Sequence, residues 1–214
     1  MGERNGKPSG KLGMARAEGD NGTYVDIVTE DVVFKRYGAV LDRCVRYPGG
    51  ELVKFDIWSK NWRNNNEFCQ CVPYDSRTNT VTMIREYFPA QHKFHYGFPG
   101  GNVEDKHGSP LSAIQAELEE EAGLYGGEWF PLLDVGKAAP QDKYQEDCLY
   151  MYVAVDSQVK EAETSTDVEE LITIEHGVPI STVHDRIYKG ELQANGIATF
   201  LLALRHLKLL EYPV

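Results

Sequence analysis

Glu117, Glu119, Glu120 and Glu121 stand within a single short stretch of the chain. Like charges at neighbouring helix positions repel and work against the helix. Positions i, i+3 and i+4 share a helix face, so Glu117, Glu120 and Glu121 project together while Glu119 points away. Three converging carboxylates make a hard, oxygen-rich site. Mg2+ or Mn2+ suits such a site, because these ions take carboxylates, waters and substrate phosphates together. The bland alternative is a solvated acidic face, the ordinary fate of an isolated E-x-x-E-E. Upstream, Gly100 and Gly101 offer backbone that a ligand can approach closely, since no Cβ intervenes. A carbonyl of Gly100 is placed to complete a metal shell.

Local signals define the elements that must position these groups. Ser109 is a good N-cap, Pro110 suits the first helical position and Gly123 suits C′, which predicts a helix over 110–122. Leu111, Ile114 and Leu118 fall at helical spacing on its core side. Strands are predicted over 39–47 and 51–59, joined by the turn Pro48-Gly49-Gly50, with Val53, Phe55 and Ile57 alternating against Lys54 and Asp56. Further strands are predicted within 64–75, over 81–87, over 148–155 and over 171–176. Helices are predicted over 180–189 and 195–210, and an acidic loop over 156–170. Residues 1–22 read as a disordered tail. Interleaved strands and helices place the chain in the α/β (α+β) class with a mixed sheet.

Composition bounds the partners. Acids outnumber bases 33 to 22 in 214 residues, for a net charge of −11. Such a surface does not bind nucleic acid or anionic membrane non-specifically. A phosphorylated ligand would need local cations or a metal ion. Cys69 and Cys71, two apart on one strand, read as buried small residues rather than a metal or redox pair. No apolar run approaches the roughly 20 residues needed to span a bilayer, and a reduced, cytoplasmic setting is expected. P-loop, H-E-x-x-H and G-x-S-x-G motifs do not occur.

The stretch Glu117-Leu118-Glu119-Glu120-Glu121-Ala122-Gly123-Leu124 resembles the second half of the Nudix signature, G-x5-E-x7-R-E-U-x-E-E-x-G-U, with U a bulky aliphatic residue. Phe98-Pro99-Gly100-Gly101 resembles the glycine turn that opens the box. Two departures stand out. Ala116 occupies the arginine position, and the loop is one residue longer, so that Gly108 falls where the first glutamate belongs. In the family that glutamate and arginine brace the loop, while the later glutamates bind metal. The run Val81-Thr82-Met83-Ile84-Arg85-Glu86-Tyr87-Phe88-Pro89-Ala90 is similar to a strand of the ADP-ribose and nucleoside-diphosphosugar pyrophosphatase branch, with Glu86 for Gln and Phe88 for Arg.

The resemblance implies a Nudix-type α/β/α sandwich over 76–214, preceded by a β-rich extension over 23–75 through which the branch commonly forms homodimers, and 23–214 is read as one structural unit. It implies metal-dependent hydrolysis of a nucleoside diphosphate linked to another group, ADP-ribose or a nucleotide sugar first. Glu117 and Glu121 are then the first metal ligands, joined by Gly100. Glu120 is a ligand or a partner of the attacking water. Glu170, with Glu169 second, aligns as the base from the late loop. Arg85, Phe98, Gly101 and Lys143 are the expected substrate contacts, Lys137 a weaker one, with Trp58, Trp62 and Tyr144 as further stacking candidates. Other open readings are a nucleotide sensor or protein-interaction module that has lost turnover, and an enzyme for nucleoside triphosphates or dinucleoside polyphosphates. A zinc site built on His92, His95 and His107 lacks an evident fourth ligand.

Overall fold

The computed structural model describes residues 16–19, 21–60, 66–160, 171–210 and 212. The chain divides between residues 60 and 61 into two compact units. The first is a four-stranded antiparallel meander of β1 (Arg16–Glu18), β2 (Tyr24–Lys35), β3 (Ala39–Arg46) and β4 (Leu52–Ser59). The β3–β4 hairpin forms at the predicted turn. The N–H of Tyr47 donates to the carbonyl of Glu51 at 2.9 Å, and Gly50 sits at φ 93°, which glycine alone adopts freely. Arg16–Glu18 lies inside the stretch read as a tail, yet it pairs with β2, where Arg16 Nε meets Asp26 Oδ1 at 2.7 Å. A cross-strand ion pair ten residues apart leaves no local signature. Residues 1–15 lie outside the described residues.

In the second unit come β5 (Glu67–Asp75), β6 (Thr80–Phe88), β7 (Lys93–Gly97), β8 (Gly100–Asn102) and α1 (Pro110–Ala122). After them follow β9 (Leu124–Tyr125), β10 (Glu128–Pro131), β11 (Ala139–Pro140), β12 (Cys148–Val155), β13 (Gln158–Val159), β14 (Ile172–Pro179), α2 (Ile180–Tyr188) and α3 (Ala194–Leu209). The main sheet runs β10-β12-β5-β6-β14, with β5 parallel to β12 and the other pairs antiparallel. At one end β6 pairs with β7 and β5 with β8.

The expected extension, 23–75, takes in β5, whereas the division into units falls between residues 60 and 61. The strand β5 belongs to the second unit, where it is the parallel partner of β12 and is buried continuously from Cys69 to Tyr74. A strand covered on both faces reads as an unbroken apolar run, without the alternation that marks a half-exposed one.

Alternate residues of the sheet feed two cores. Cys69, Cys71 and Ala154 pack with Ala113, Ile114, Leu118 and Ala122 of α1. Val72, Tyr74, Met83 and Val153, on the other face, pack with Val183 of α2 and Phe200, Ala203 and Leu207 of α3. The result is an α/β/α sandwich, as expected. No helix among the described residues is long and apolar enough to cross a membrane.

Candidate active site

The helix α1 begins and ends where its caps dictate. Ser109 Oγ accepts the N–H of Ser112 at 3.1 Å, Pro110 opens the first turn, and Gly123 closes it at φ 62°. With Ile114 and Leu118 fully buried against the sheet, the helix is fixed in rotation, and that rotation sorts the glutamates. Glu121 is buried, with 7% of its surface exposed. Its Oε2 accepts the N–H of Gly100 at 2.9 Å. Glu117 lies against Gly101, so close that a Cβ there would stand 2.1 Å from Glu117 Oε1. Glu120 is exposed. Glu119 points elsewhere and pairs with Lys160.

The glycine turn is held against β5. Cys71 N–H donates to the carbonyl of Pro99 at 3.0 Å. A Cβ on Gly100 would meet the carbonyl oxygen of Cys69 at 2.5 Å, so the backbones approach as only a glycine permits. Cys69 Sγ donates to the carbonyl of Gly101 at 3.4 Å. Burial pushes the Cys69 thiol up to about 12, and the carboxylates of Glu117 and Glu121 add to that rise. Two acids therefore converge on one glycine turn beside a neutral thiol.

The loop before α1 is braced without the box arginine. Glu104 N–H donates to His107 Nδ1 at 3.2 Å, and Lys106 Nζ reaches Glu104 Oε2 at 2.9 Å. Gly108 turns at φ 71°, and Ser112 Oγ donates to the His107 carbonyl. Glu104 holds the Lys106 ammonium above its ordinary value, with Glu120 and Glu117 contributing.

Other expected site residues lie elsewhere. Phe98 is a core residue: 1% exposed and stacked on Phe200 at 5.9 Å, it has no face left for a base. Arg85 shares its strand face with Met83, which packs toward α2 and α3, so it projects from the side of the sheet opposite α1. Its guanidinium lies over Phe94 and Tyr96, at 5.1 and 5.7 Å. Lys143 is exposed on a loop, over the ring of its neighbour Tyr144 at 5.1 Å, and Lys137 is exposed too. Trp58 belongs to β4 of the first unit. Glu169, Glu170 and Trp62 lie outside the described residues.

His92 bonds Tyr87 Oη at 2.6 Å, His95 packs on Phe88 and His107 caps its own turn, so the three do not form a common site. Among the described residues no three His, Cys, Asp or Glu side chains are gathered closely enough to hold a metal ion together, so the expected convergence of Glu117, Glu120 and Glu121 on one spot is not seen. A cleft of about 540 Å3, lined by Tyr74, Thr80, Thr82, Asp156 and His176, holds none of the expected site residues. Sequence reasoning missed Gln70, whose Nε2 donates to the carbonyl of Phe98 just before the glycine turn, and Thr199, which donates to Gln70. The available signal was a polar residue, Gln70, on the inward face of an apolar strand.

The family model for the NUDIX domain matches residues 70–193. A solved structure described as "Crystal structure of ADP compounds hydrolase" superposes with a TM-score of 0.68 at 20% identity, covering 85% of this chain and 93% of that one. No curated protein matches the chain in sequence.

Proposed function

This chain belongs to the NUDIX family, and from that premise we propose that it is a pyrophosphohydrolase acting on a nucleoside diphosphate linked to a second group, with release of a nucleoside monophosphate and the phosphorylated second group. ADP-ribose and other ADP-linked sugars are the first substrates to consider. The structural relative named for ADP compounds supports that order. The observation that carries the proposal is the convergence of Glu117 and Glu121 on the Gly100–Gly101 turn.

Two carboxylates at a glycine turn fit Mg2+ or Mn2+. Such ions need only one or two protein carboxylates when water and phosphate oxygens supply the rest. Glu117 and Glu121 would hold the ion with the Gly100 carbonyl, and Glu120 stands ready from solvent one turn along the same helix. A bound divalent cation would supply charge neutralisation at the diphosphate oxygens. The attacking water gives up its proton to a carboxylate as its oxygen bonds to phosphorus and the bridging P–O bond breaks. Glu120, Glu170 and Glu169 are the proposed acceptors. Gly101 is the proposed substrate contact of the turn, its missing Cβ giving the Glu117 carboxylate the space it occupies.

Pairing of two chains through the N-terminal sheet belongs to the same proposal. Val32, Val33 and Phe34 of β2 expose half or more of their surface, an apolar strip suited to such a contact. A cytoplasmic setting is proposed with it.

The test is product analysis with Mg2+ or Mn2+ on ADP-ribose, ADP-glucose, UDP-glucose, GDP-mannose, NADH and nucleoside triphosphates, with Glu117→Gln and Glu120→Gln as controls. Cleavage of one diphosphate-linked substrate, lost in the controls, is the expected result. Binding without turnover by any member of the panel would replace the enzyme with a nucleotide sensor.

A further inference from the structure

Gln70 and Thr199 are buried polar side chains on the α3 side of the sheet, 1% and 0% exposed. Gln70 Nε2 donates to the carbonyl of Phe98 at 3.2 Å. Gln70 Oε1 accepts from Thr199 Oγ1 at 3.0 Å. The chemistry fixes the direction of both bonds. A peptide carbonyl only accepts, so the amide nitrogen of Gln70 must face Phe98, its oxygen must face Thr199, and the hydroxyl must donate. The one hydroxyl proton of Thr199 is shared between Gln70 Oε1 and the carbonyl of Asn195, which it also reaches at 2.8 Å, and Asn195 Nδ2 donates in turn to Gln141 Oε1 at 2.7 Å. A continuous polar chain thus crosses an otherwise apolar core from the glycine turn to α3 and the loop at Gln141.

The position of the chain matters more than its burial. It grips the peptide that joins Phe98 to Pro99. Peptide planarity and the fixed φ of proline leave Pro99 ψ as the one soft backbone dihedral between that peptide and the Gly100 N–H. The next carbonyl, that of Pro99, is held by the backbone of Cys71. Gly100 follows, and its N–H holds Glu121. Side chains therefore secure one end of the turn that receives a proposed metal-binding carboxylate, and side chains can be replaced without cutting a strand.

We propose that Gln70 and Thr199 are positioning residues of the hydrolytic site, fixing the Phe98–Pro99 peptide and through it the Gly100 N–H and the Glu121 carboxylate. The inference rests on the function proposed above for that site, but its structural half can be read without any turnover.

The experiment compares Thr199→Val, Thr199→Ser and Gln70→Met with the unsubstituted protein. Valine keeps the shape of threonine and removes the donor; serine keeps the donor. Amide hydrogen exchange of Gly100 is followed by NMR, with Ala203, buried in the middle of α3, as the reporter of global opening. Thr199→Val and Gln70→Met should speed Gly100 exchange roughly tenfold more than that of Ala203. They should lower kcat by roughly ten- to hundredfold, the scale of an ångström-sized misplacement, with KM little changed. Thr199→Ser should restore both. Wild-type Gly100 exchange in Thr199→Val and Gln70→Met overturns the proposal, as does equal acceleration at Gly100 and Ala203, or a Thr199→Ser protein indistinguishable from Thr199→Val. If the wild-type protein cleaves no member of the substrate panel, the hydrolytic reading falls, and the exchange comparison alone decides whether the turn is braced.

Discussion

Gly100 and Gly101 are adjacent, yet a methyl group added to each should do opposite things. Neither has a positive φ, so alanine can adopt either backbone; the difference lies in what the new Cβ meets. At Gly101 it would stand 2.1 Å from Glu117 Oε1, where ordinary contact starts at 3.4 Å. The carboxylate must retreat by about 1 Å or more, and a rotamer change absorbs that for roughly 0.5–1.5 kcal/mol. Displacement of a reacting group on this scale costs on the order of a hundredfold in rate. At Gly100 the new Cβ would meet the Cys69 carbonyl oxygen at 2.5 Å and Gln70 Cα at 3.1 Å. Both are strand backbone with nowhere to go, and overpacking of this kind costs roughly 1–3 kcal/mol. A loss of about 2 kcal/mol lowers Tm by roughly 4–8 °C in a chain of this size. Gly101→Ala should therefore lose activity with little loss of Tm, and Gly100→Ala should lose Tm first. Steady-state kinetics on the cleaved substrate and a thermal melt measure both. A Gly101→Ala protein with wild-type kcat/KM would refute the reasoning, since Glu117 would then be dispensable where it stands.

Phe98→Ala should cost roughly 3–5 kcal/mol in urea denaturation, as for any fully buried aromatic; normal stability with a raised KM would restore Phe98 to the substrate. Glu119→Gln removes an exposed ion pair with Lys160, so stability should change by no more than about 1 kcal/mol, and kcat/KM should not move; a large loss of activity would bring Glu119 into the site. Burial holds His176 below its ordinary value of 6.5, so the unfolded chain binds the proton more readily than the folded one. Its contribution to stability is therefore present above that value and lost as pH falls through the lower, folded one. Denaturation series between about pH 7 and pH 5 should show a shallower decline in His176→Gln than in wild type; equal slopes would exclude His176 as a source of acid sensitivity.

What the sequence made legible was local. Ser109, Pro110 and Gly123 mark the limits of α1, and the helix runs over the predicted residues. The turn at Pro48-Gly49-Gly50 and the strand over 148–155 are similarly self-contained. The three-glutamate face was legible as a period, but the period does not say which member of the face is buried. That is decided by Ile114 and Leu118 docking on β5, which turns Glu117 and Glu121 toward the glycines and leaves Glu120 in solvent. Where Arg85 projects was not legible in the sequence. A strand offers two faces, and the choice between them depends on partners far along the chain, here α2 and α3. The short strands β7 and β8 sit in a stretch rich in Gly, Pro and His, where Lys93-Phe94-His95-Tyr96 alternates over only four residues and Gly100-Gly101-Asn102 carries no pattern. They exist because β6 and β5 offer free edges there.

Ala116 posed the sharpest question about this box, because the resemblance assigns its arginine to bracing the loop. The structure supplies other braces. Val103 N–H donates to the Glu67 carbonyl at 2.9 Å, the Glu104–His107 turn closes on itself, and Lys106 pairs with Glu104. Each contact lies in the lengthened loop or joins it to β5, so the extra residue and the missing arginine form one change rather than two defects. A brace already present gains little from a second. Ala116→Arg should therefore leave kcat/KM within about threefold of wild type, the range of an ordinary substitution outside the reacting groups. It should also leave Gly101 and Glu117 in place, as judged by unchanged Mn2+ affinity. A gain of tenfold or more in Ala116→Arg would mean that the loop is under-braced as it stands, and that the contacts around Glu104 do not substitute for the arginine.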